Sequence, residues 1–245
     1  MKILWETVKV DDSPMRLYVS RPDGPGPFPA VVVIQNKEGV AEFTQEMTRR
    51  VAEAGYFSVA PDLYHRNGPE LKDDIEAQQA RRRDSEVIKD VNAAVDYLRG
   101  HNSADGAKLG IIGFCMGGRV AYLMAAANPS FRAAVDFYGG GGFKAWGEGP
   151  SPFARTAEIH CPIQGHFGET DKNPSLEDMR KLDVELSKFG KVHEFYSYPG
   201  AGHAFNRKGW EGYREDADLA SWHRTLEFFE RYLLEQTPKK AAAAR

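Results

Sequence analysis

The run Leu109-Gly110-Ile111-Ile112-Gly113-Phe114-Cys115-Met116-Gly117-Gly118-Arg119 decides how the chain is read. Its first half is short and apolar, as a strand covered on both faces must be, and Arg119 to Ala127 continues with helical character. A strand that reverses at once into a helix leaves one residue at a strained apex. Glycines two places before and two after that residue let the backbone pass without Cβ clashes. The apex side chain is Cys115. It stands at a helix N-terminus, where the first amides and the helix dipole favour a thiolate and a developing oxyanion. Gly-x-Cys-x-Gly therefore reads as a nucleophile elbow with sulfur in place of a hydroxyl. Taken alone, Cys115 is also compatible with a buried thiol in an ordinary tight turn, since cysteine is among the most buried residue types.

Working outward, Ile3 to Val10 and Met15 to Ser20 flank the turn residues Asp11 to Pro14 and predict a hairpin. Arg21 to Pro29 holds four prolines and two glycines and predicts a surface loop. Ala30 to Ile34 is a β-branched run expected to be a central parallel strand. Ala41 to Ala54 predicts a helix stopped by Gly55, and Tyr56 to Ala60 resumes a strand. From Asp73 to Arg99 the apolar stripe Val87, Val91, Val95 and Leu98 predicts one long helix ending at Gly100. Ala133 to Tyr138, Ile163 to Phe167 and His193 to Tyr198 continue as strands, with a helix over Leu176 to Phe189 and a last one over Glu215 to Glu235. This alternation predicts an α/β fold: a doubly wound, mostly parallel sheet with helices on both faces and ligand sites at the carboxyl ends of its strands. Residues 1–237 are expected to form one domain and 238–245 a frayed tail.

The 245 residues carry 32 basic and 35 acidic side chains, a net charge of −3, so no global field draws in nucleic acid or an anionic membrane. Two cysteines without a framework of spacings, and an N-terminus without an apolar signal core, predict free thiols in a reducing, cytoplasmic setting. His65, His101, His160, His166, His193 and His223 are scattered rather than set at ligand spacing, so no metal is expected. Gly139 to Gly142 lacks the spacing of a dinucleotide or phosphate loop, and no cofactor is expected either.

A thiol nucleophile needs a base and a group that orients the base. Gly168-Glu169-Thr170-Asp171 follows one predicted strand, and Gly200-Ala201-Gly202-His203-Ala204-Phe205 follows the next. The order Cys115, Asp171, His203 matches nucleophile, acid and histidine in the α/β-hydrolase arrangement. An Asp in a turn and a His in a glycine-rich loop are each unremarkable alone; jointly with the elbow they point to a catalytic triad.

These residues, with Val31-Val32-Val33-Ile34-Gln35 and Ala60-Pro61-Asp62-Leu63-Tyr64, give the chain from about Ala30 to Phe205 a resemblance to the dienelactone hydrolase (carboxymethylenebutenolidase) family. The resemblance implies Cys115 as nucleophile, His203 as base and Asp171 as its partner. It implies an oxyanion hole made by the backbone N–H groups of Met116 and Lys37. It also implies substrate-carboxylate arginines at Arg207 and at one of Arg81, Arg82 and Arg83, with Arg82 taken as the candidate. The expected substrate is a small ester or lactone bearing a carboxylate, cleaved through a thioester acyl-enzyme.

One departure stands out. Where the family places a thiol-activating glutamate directly after the strand's glutamine, this chain has Asn36, with Glu38 two residues on. If the loop stays extended, Asn36 and Glu38 share a side and Glu38 serves in part, while Asn36 can only hydrogen-bond substrate or sulfur. The alternatives are a promiscuous carboxylesterase or phosphotriesterase on the same triad, and a non-hydrolytic binding protein that kept the scaffold. A thiol redox sensor on Cys115 and Cys161 is weaker, for want of a pairing motif.

Overall fold

The computed structural model describes residues 1–68, 70 and 74–234. Its sheet has eight strands: β1 (Lys2–Val10), β2 (Ser13–Arg21), β3 (Phe28–Ile34), β4 (Phe57–Pro61), β5 (Ala104–Phe114), β6 (Phe131–Phe137), β7 (Ile163–Gly168) and β8 (His193–Tyr198). They lie in the order β1-β2-β4-β3-β5-β6-β7-β8. β1 and β2 form the antiparallel hairpin, and every pair from β4 to β8 is parallel. The hairpin turn is only Asp11 and Asp12, both at positive φ, the two-residue geometry that matches strand twist.

Side chains alternate across the sheet as strand geometry requires. Ala30, Val32 and Ile34 of β3 enter one core with Leu109 and Ile111 of β5. Val31 and Val33 enter the other with Ile112 and Phe114. The first core is covered by α3 (Asp84–Gly100), α4 (Met116–Ala127) and α5 (Leu176–Lys188), which contribute Val91, Val120 and Leu186. The second is covered by α1 (Glu42–Glu53) and α6 (Glu215–Phe229), through Met47 and Phe228. Burying both faces explains why β3 reads as an uninterrupted apolar run. No helix among the described residues is long and apolar enough to cross a membrane.

One expected helix is two. A short α2 (Ile75–Ala80) stops, Arg81 to Arg83 cross over, and only then does α3 begin at Asp84. The reason is tertiary: Arg83 is extended, and the Asp84 amide donates to the Trp146 carbonyl at 2.9 Å, which sets the start of α3 from outside the helix. Asp73 lies outside the described residues. β3 also starts earlier than expected, at Phe28, with a shift of register between Pro29 and Ala30. At the end of the chain, α6 gives way to a π-helical turn over Glu230–Leu234, and Glu235 and the 238–245 tail lie outside the described residues.

Candidate active site

β5 ends at Phe114 and α4 begins at Met116, leaving Cys115 alone between them with φ 58° and ψ −121°. That is a strained conformation for a residue with a Cβ, held because its amide donates to the Phe137 carbonyl at 3.0 Å and its carbonyl accepts from Gly118 at 3.0 Å. The glycines are required by close approach. A Cβ on Gly113 would stand 1.9 Å from the Gly117 carbonyl oxygen, one on Gly117 2.5 Å from that of Ile34, and one on Gly118 2.1 Å from Asp136 Oδ1. Asp136, which sequence reasoning passed over, is a buried carboxyl behind the elbow. Burial pushes its pKa up to about 7, against the pull of a 2.7 Å hydrogen bond from the Gly139 amide. The signal for it was an acid inside the apolar run Ala133 to Tyr138.

β7 and β8 carry the other two candidate residues just past their ends. Asp171 stands just past β7, almost fully buried, with Oδ1 accepting from the Asn173 amide at 2.9 Å and Oδ2 2.7 Å from His203 Nδ1. A carboxylate can only accept, so Nδ1 carries the proton and Nε2 faces away from Asp171. Burial of His203 disfavours its charged form, but hydrogen bonds to Asp171 and Cys115 and their charges outweigh it, raising the pKa to about 10. The ring is flanked by that of Tyr138, with centres 4.9 Å apart. The Tyr138 hydroxyl donates to Asn206 Oδ1, three residues beyond the histidine. Tyr138 (φ 42°) and Ala204 (φ 57°) share the positive φ of Cys115. Three strained non-glycine residues thus border one site, where strain is characteristically stored.

Cys115 and His203 both open onto two cavities. The smaller, about 200 Å³, is mainly apolar, with Phe43, Tyr138 and Trp210 in its wall beside Asn36, Glu38 and Arg207. The larger, about 540 Å³, is bordered by Lys37, Arg82, Met116, Trp146 and Asp171. Tyr64 links the Lys37 backbone to the Met116 side chain, beside the two candidate oxyanion donors. Its hydroxyl donates to the Lys37 carbonyl at 3.0 Å and lies 3.4 Å from the Met116 sulfur. Burial raises the Tyr64 pKa to about 12, so the tie keeps its proton. Among the described residues neither the Lys37 nor the Met116 amide has an acceptor.

The loop after β3 corrects one expectation. It does not stay extended: the Gly39 amide donates to the Asn36 carbonyl at 3.1 Å, and the Glu38 amide to Asn36 Oδ1 at 3.0 Å, a tight turn closed by Gly39 at φ 83°. Asn36 is buried and spends its side-chain oxygen on this turn. Glu38 still reaches the smaller cavity, but its carboxylate is bonded to Arg207 Nη1 at 2.8 Å rather than to the sulfur. Of the three consecutive arginines, Arg81 and Arg83 are exposed and Arg82 turns inward. Its Nε donates to the Gln79 carbonyl at 2.7 Å and its Nη1 to the Met116 sulfur at 3.0 Å. Cys161 is buried and far from such use: burial raises its pKa to about 12, and both cysteines are free thiols. Among the described residues no group of three or more His, Cys, Asp or Glu side chains is placed to hold a metal.

The model of the dienelactone hydrolase family matches residues 15–233 of the chain. A protein of Methylorubrum extorquens named "Putative carboxymethylenebutenolidase" is 33% identical over 233 residues, covering 92% of this chain and 79% of that one. A protein of Escherichia coli with the same name is 33% identical over 225 residues, 89% of this chain and 83% of the other. A crystal structure named as a "Putative Dienelactone Hydrolase", from Klebsiella pneumoniae, is similar with a TM-score of 0.86 at 31% identity, covering 95% of this chain and 100% of that one. With elbow, sheet order and family match in agreement along nearly the whole described chain, the protein belongs to the dienelactone hydrolase family and is a hydrolase of lactone or ester bonds.

Proposed function

We propose that this hydrolase works through Cys115, His203 and Asp171, with a thioester acyl-enzyme on the sulfur. The observation that carries the reading is the 2.7 Å bond from His203 Nδ1 to buried Asp171, which turns the other ring nitrogen toward a cavity it shares with the strained Cys115. Cys115 and His203 react as thiolate and imidazolium. The sulfur attacks the substrate carbonyl, and the oxyanion that forms is received by the amides of Lys37 and Met116. His203 Nε2 gives its proton to the leaving alkoxide, so the C–O bond breaks and the acyl group stays on sulfur. Water enters, His203 takes its proton, and the second tetrahedral intermediate collapses to carboxylic acid and free thiolate. A thiolate leaves easily, which favours activated esters, enol lactones and thioesters over amides.

The substrate is an ester or lactone with a free carboxylate. Arg82 supports this, as a cation bordering the larger cavity to which no carboxylate is bonded among the described residues. Arg207 supports it in the smaller cavity, where a substrate acid has to compete with Glu38. The relatives' name, carboxymethylenebutenolidase, describes a lactone that bears such an acid. The test is hydrolysis of p-nitrophenyl acetate and of a carboxylate-bearing enol lactone by the parent, Cys115→Ala and Cys161→Ala. Loss of turnover in the first variant with retention in the second supports the reading. Turnover retained in Cys115→Ala overturns it.

A further inference from the structure

Trp146 lies between two arginines. The guanidinium carbon of Arg82 is 3.8 Å from the centre of its ring and that of Arg119 is 3.7 Å. Two guanidinium groups that close above one ring cannot share a face, because their atoms would overlap, so the indole is held between them.

The two cations differ. Arg119 is wholly buried and neutralised: Nη1 and Nη2 donate to the two carboxylate oxygens of Asp84 at 2.6 and 3.0 Å, and Nη2 also to the Lys144 carbonyl at 2.7 Å. Among the described residues no carboxylate is bonded to Arg82. Beyond the Gln79 carbonyl and the Met116 sulfur, its Nη2 has no acceptor among the described residues. Burial and the nearby Arg119 charge both disfavour its cation. A long, flexible side chain in that position gains by swinging out to water unless something holds it.

The indole supplies the hold, and is itself fixed. The Trp146 amide donates to Asp84 Oδ2 at 2.9 Å, and the Asp84 amide donates back to the Trp146 carbonyl at 2.9 Å. Asp84 is in turn gripped by Arg119, four residues past Cys115 on the elbow helix. The chain of contact therefore runs from the elbow through Arg119, Asp84 and Trp146 to Arg82.

We propose that Trp146 is the positioning residue that holds the Arg82 guanidinium against the larger cavity and so sets selectivity for carboxylate-bearing over neutral esters. The inference rests on the reading above, in which Arg82 receives the substrate's acid group.

The test uses the full chain and two p-nitrophenyl esters of similar acyl length, the mono-ester of glutaric acid and the neutral valerate. The quantity read is the ratio of kcat/KM for the acid ester to that for the neutral one. Trp146→Leu is expected to lower this ratio about ten-fold, chiefly through KM for the acid ester, and Trp146→Phe about two- to three-fold, since a smaller ring keeps part of the cation–π face. Arg82→Met lowers the ratio at least as far, and adding Trp146→Leu to it lowers the ratio no further. A ratio unchanged in Trp146→Leu while Arg82→Met lowers it overturns the positioning role and leaves the reading of Arg82 intact. A ratio unchanged in Arg82→Met overturns both. If Trp146→Leu does not fold, Trp146→Phe decides alone, and an unchanged ratio there overturns the proposal.

Discussion

Arg207 and Glu38, 169 residues apart in the chain, form a 2.8 Å ion pair in the wall of the cavity that holds Cys115. Both side chains are about a quarter exposed, so the pair is partly screened and a substrate acid can exchange with it at modest cost. Removing the competitor frees the arginine. Glu38→Gln is expected to lower KM for a carboxylate-bearing ester by up to about five-fold relative to a neutral one. Steady-state kinetics on the ester pair check this. A raised relative KM for the acid ester contradicts it.

Burial disfavours a charged His203, and the hydrogen bonds and charges of Asp171 and Cys115 outweigh it. The folded-state pKa of His203 is raised, to about 10, above the ordinary histidine value, so the proton stabilises the fold fully below about pH 6.5. That contribution is lost as pH rises towards 10, and it is attenuated because the His203 side chain is 35% exposed. Activity through an imidazolium has its alkaline limb in the same region. Asp171→Asn is expected to move that limb to lower pH and to cut kcat/KM by roughly a thousand-fold or more. The kcat/KM–pH profiles of the two proteins measure both effects.

Behind the elbow, Asp136 has a folded pKa of about 7, raised by burial. An acid with a raised folded pKa holds its proton in the folded chain after the unfolded chain has lost it, so stability falls as pH climbs from about 4 to 7. In Asp136→Asn this slope is absent. The drop in unfolding free energy between pH 5 and pH 8, read from urea melts, is expected to shrink by roughly 2–3 kcal/mol. An identical drop in parent and variant shows that the carboxyl is not the buried acid described.

The elbow itself gives a structural test. Gly117→Ala places a Cβ 2.5 Å from the Ile34 carbonyl oxygen and 2.6 Å from that of Gln35, both backbone atoms at the end of β3 that cannot swing aside. We expect a loss of about 3 kcal/mol or failure to accumulate as folded protein. Thermal melts of parent and variant measure it.

What the sequence discloses and what it conceals divides along contact distance. The elbow was legible because apolar strand, glycine spacing and helix follow one another without a gap, and the order of Cys115, Asp171 and His203 was legible because each lies within a few residues of a strand's end. The break before Asp84 was not, since the ties to it come from Arg119 and Trp146, 35 and 62 residues away. The partner of Glu38 was hidden for the same reason, and the turn at Asn36 to Gly39 hid how the loop presents it. Which of three adjacent arginines faces the cleft depends on an indole that periodicity does not connect to them. Tyr64 stands inside the Ala60 to Tyr64 motif, but its tie to Lys37 and Met116 requires two loops and the start of α4 to be brought together.

The most direct measurement is the mass of the enzyme quenched during turnover of a p-nitrophenyl ester, followed by peptide mapping. An acyl group is expected on the peptide containing Cys115, released by hydroxylamine, with neither adduct nor turnover in Cys115→Ala. Turnover that persists in Cys115→Ala, or an acyl group found on Cys161 or on any other residue while Cys115 stays free, contradicts it.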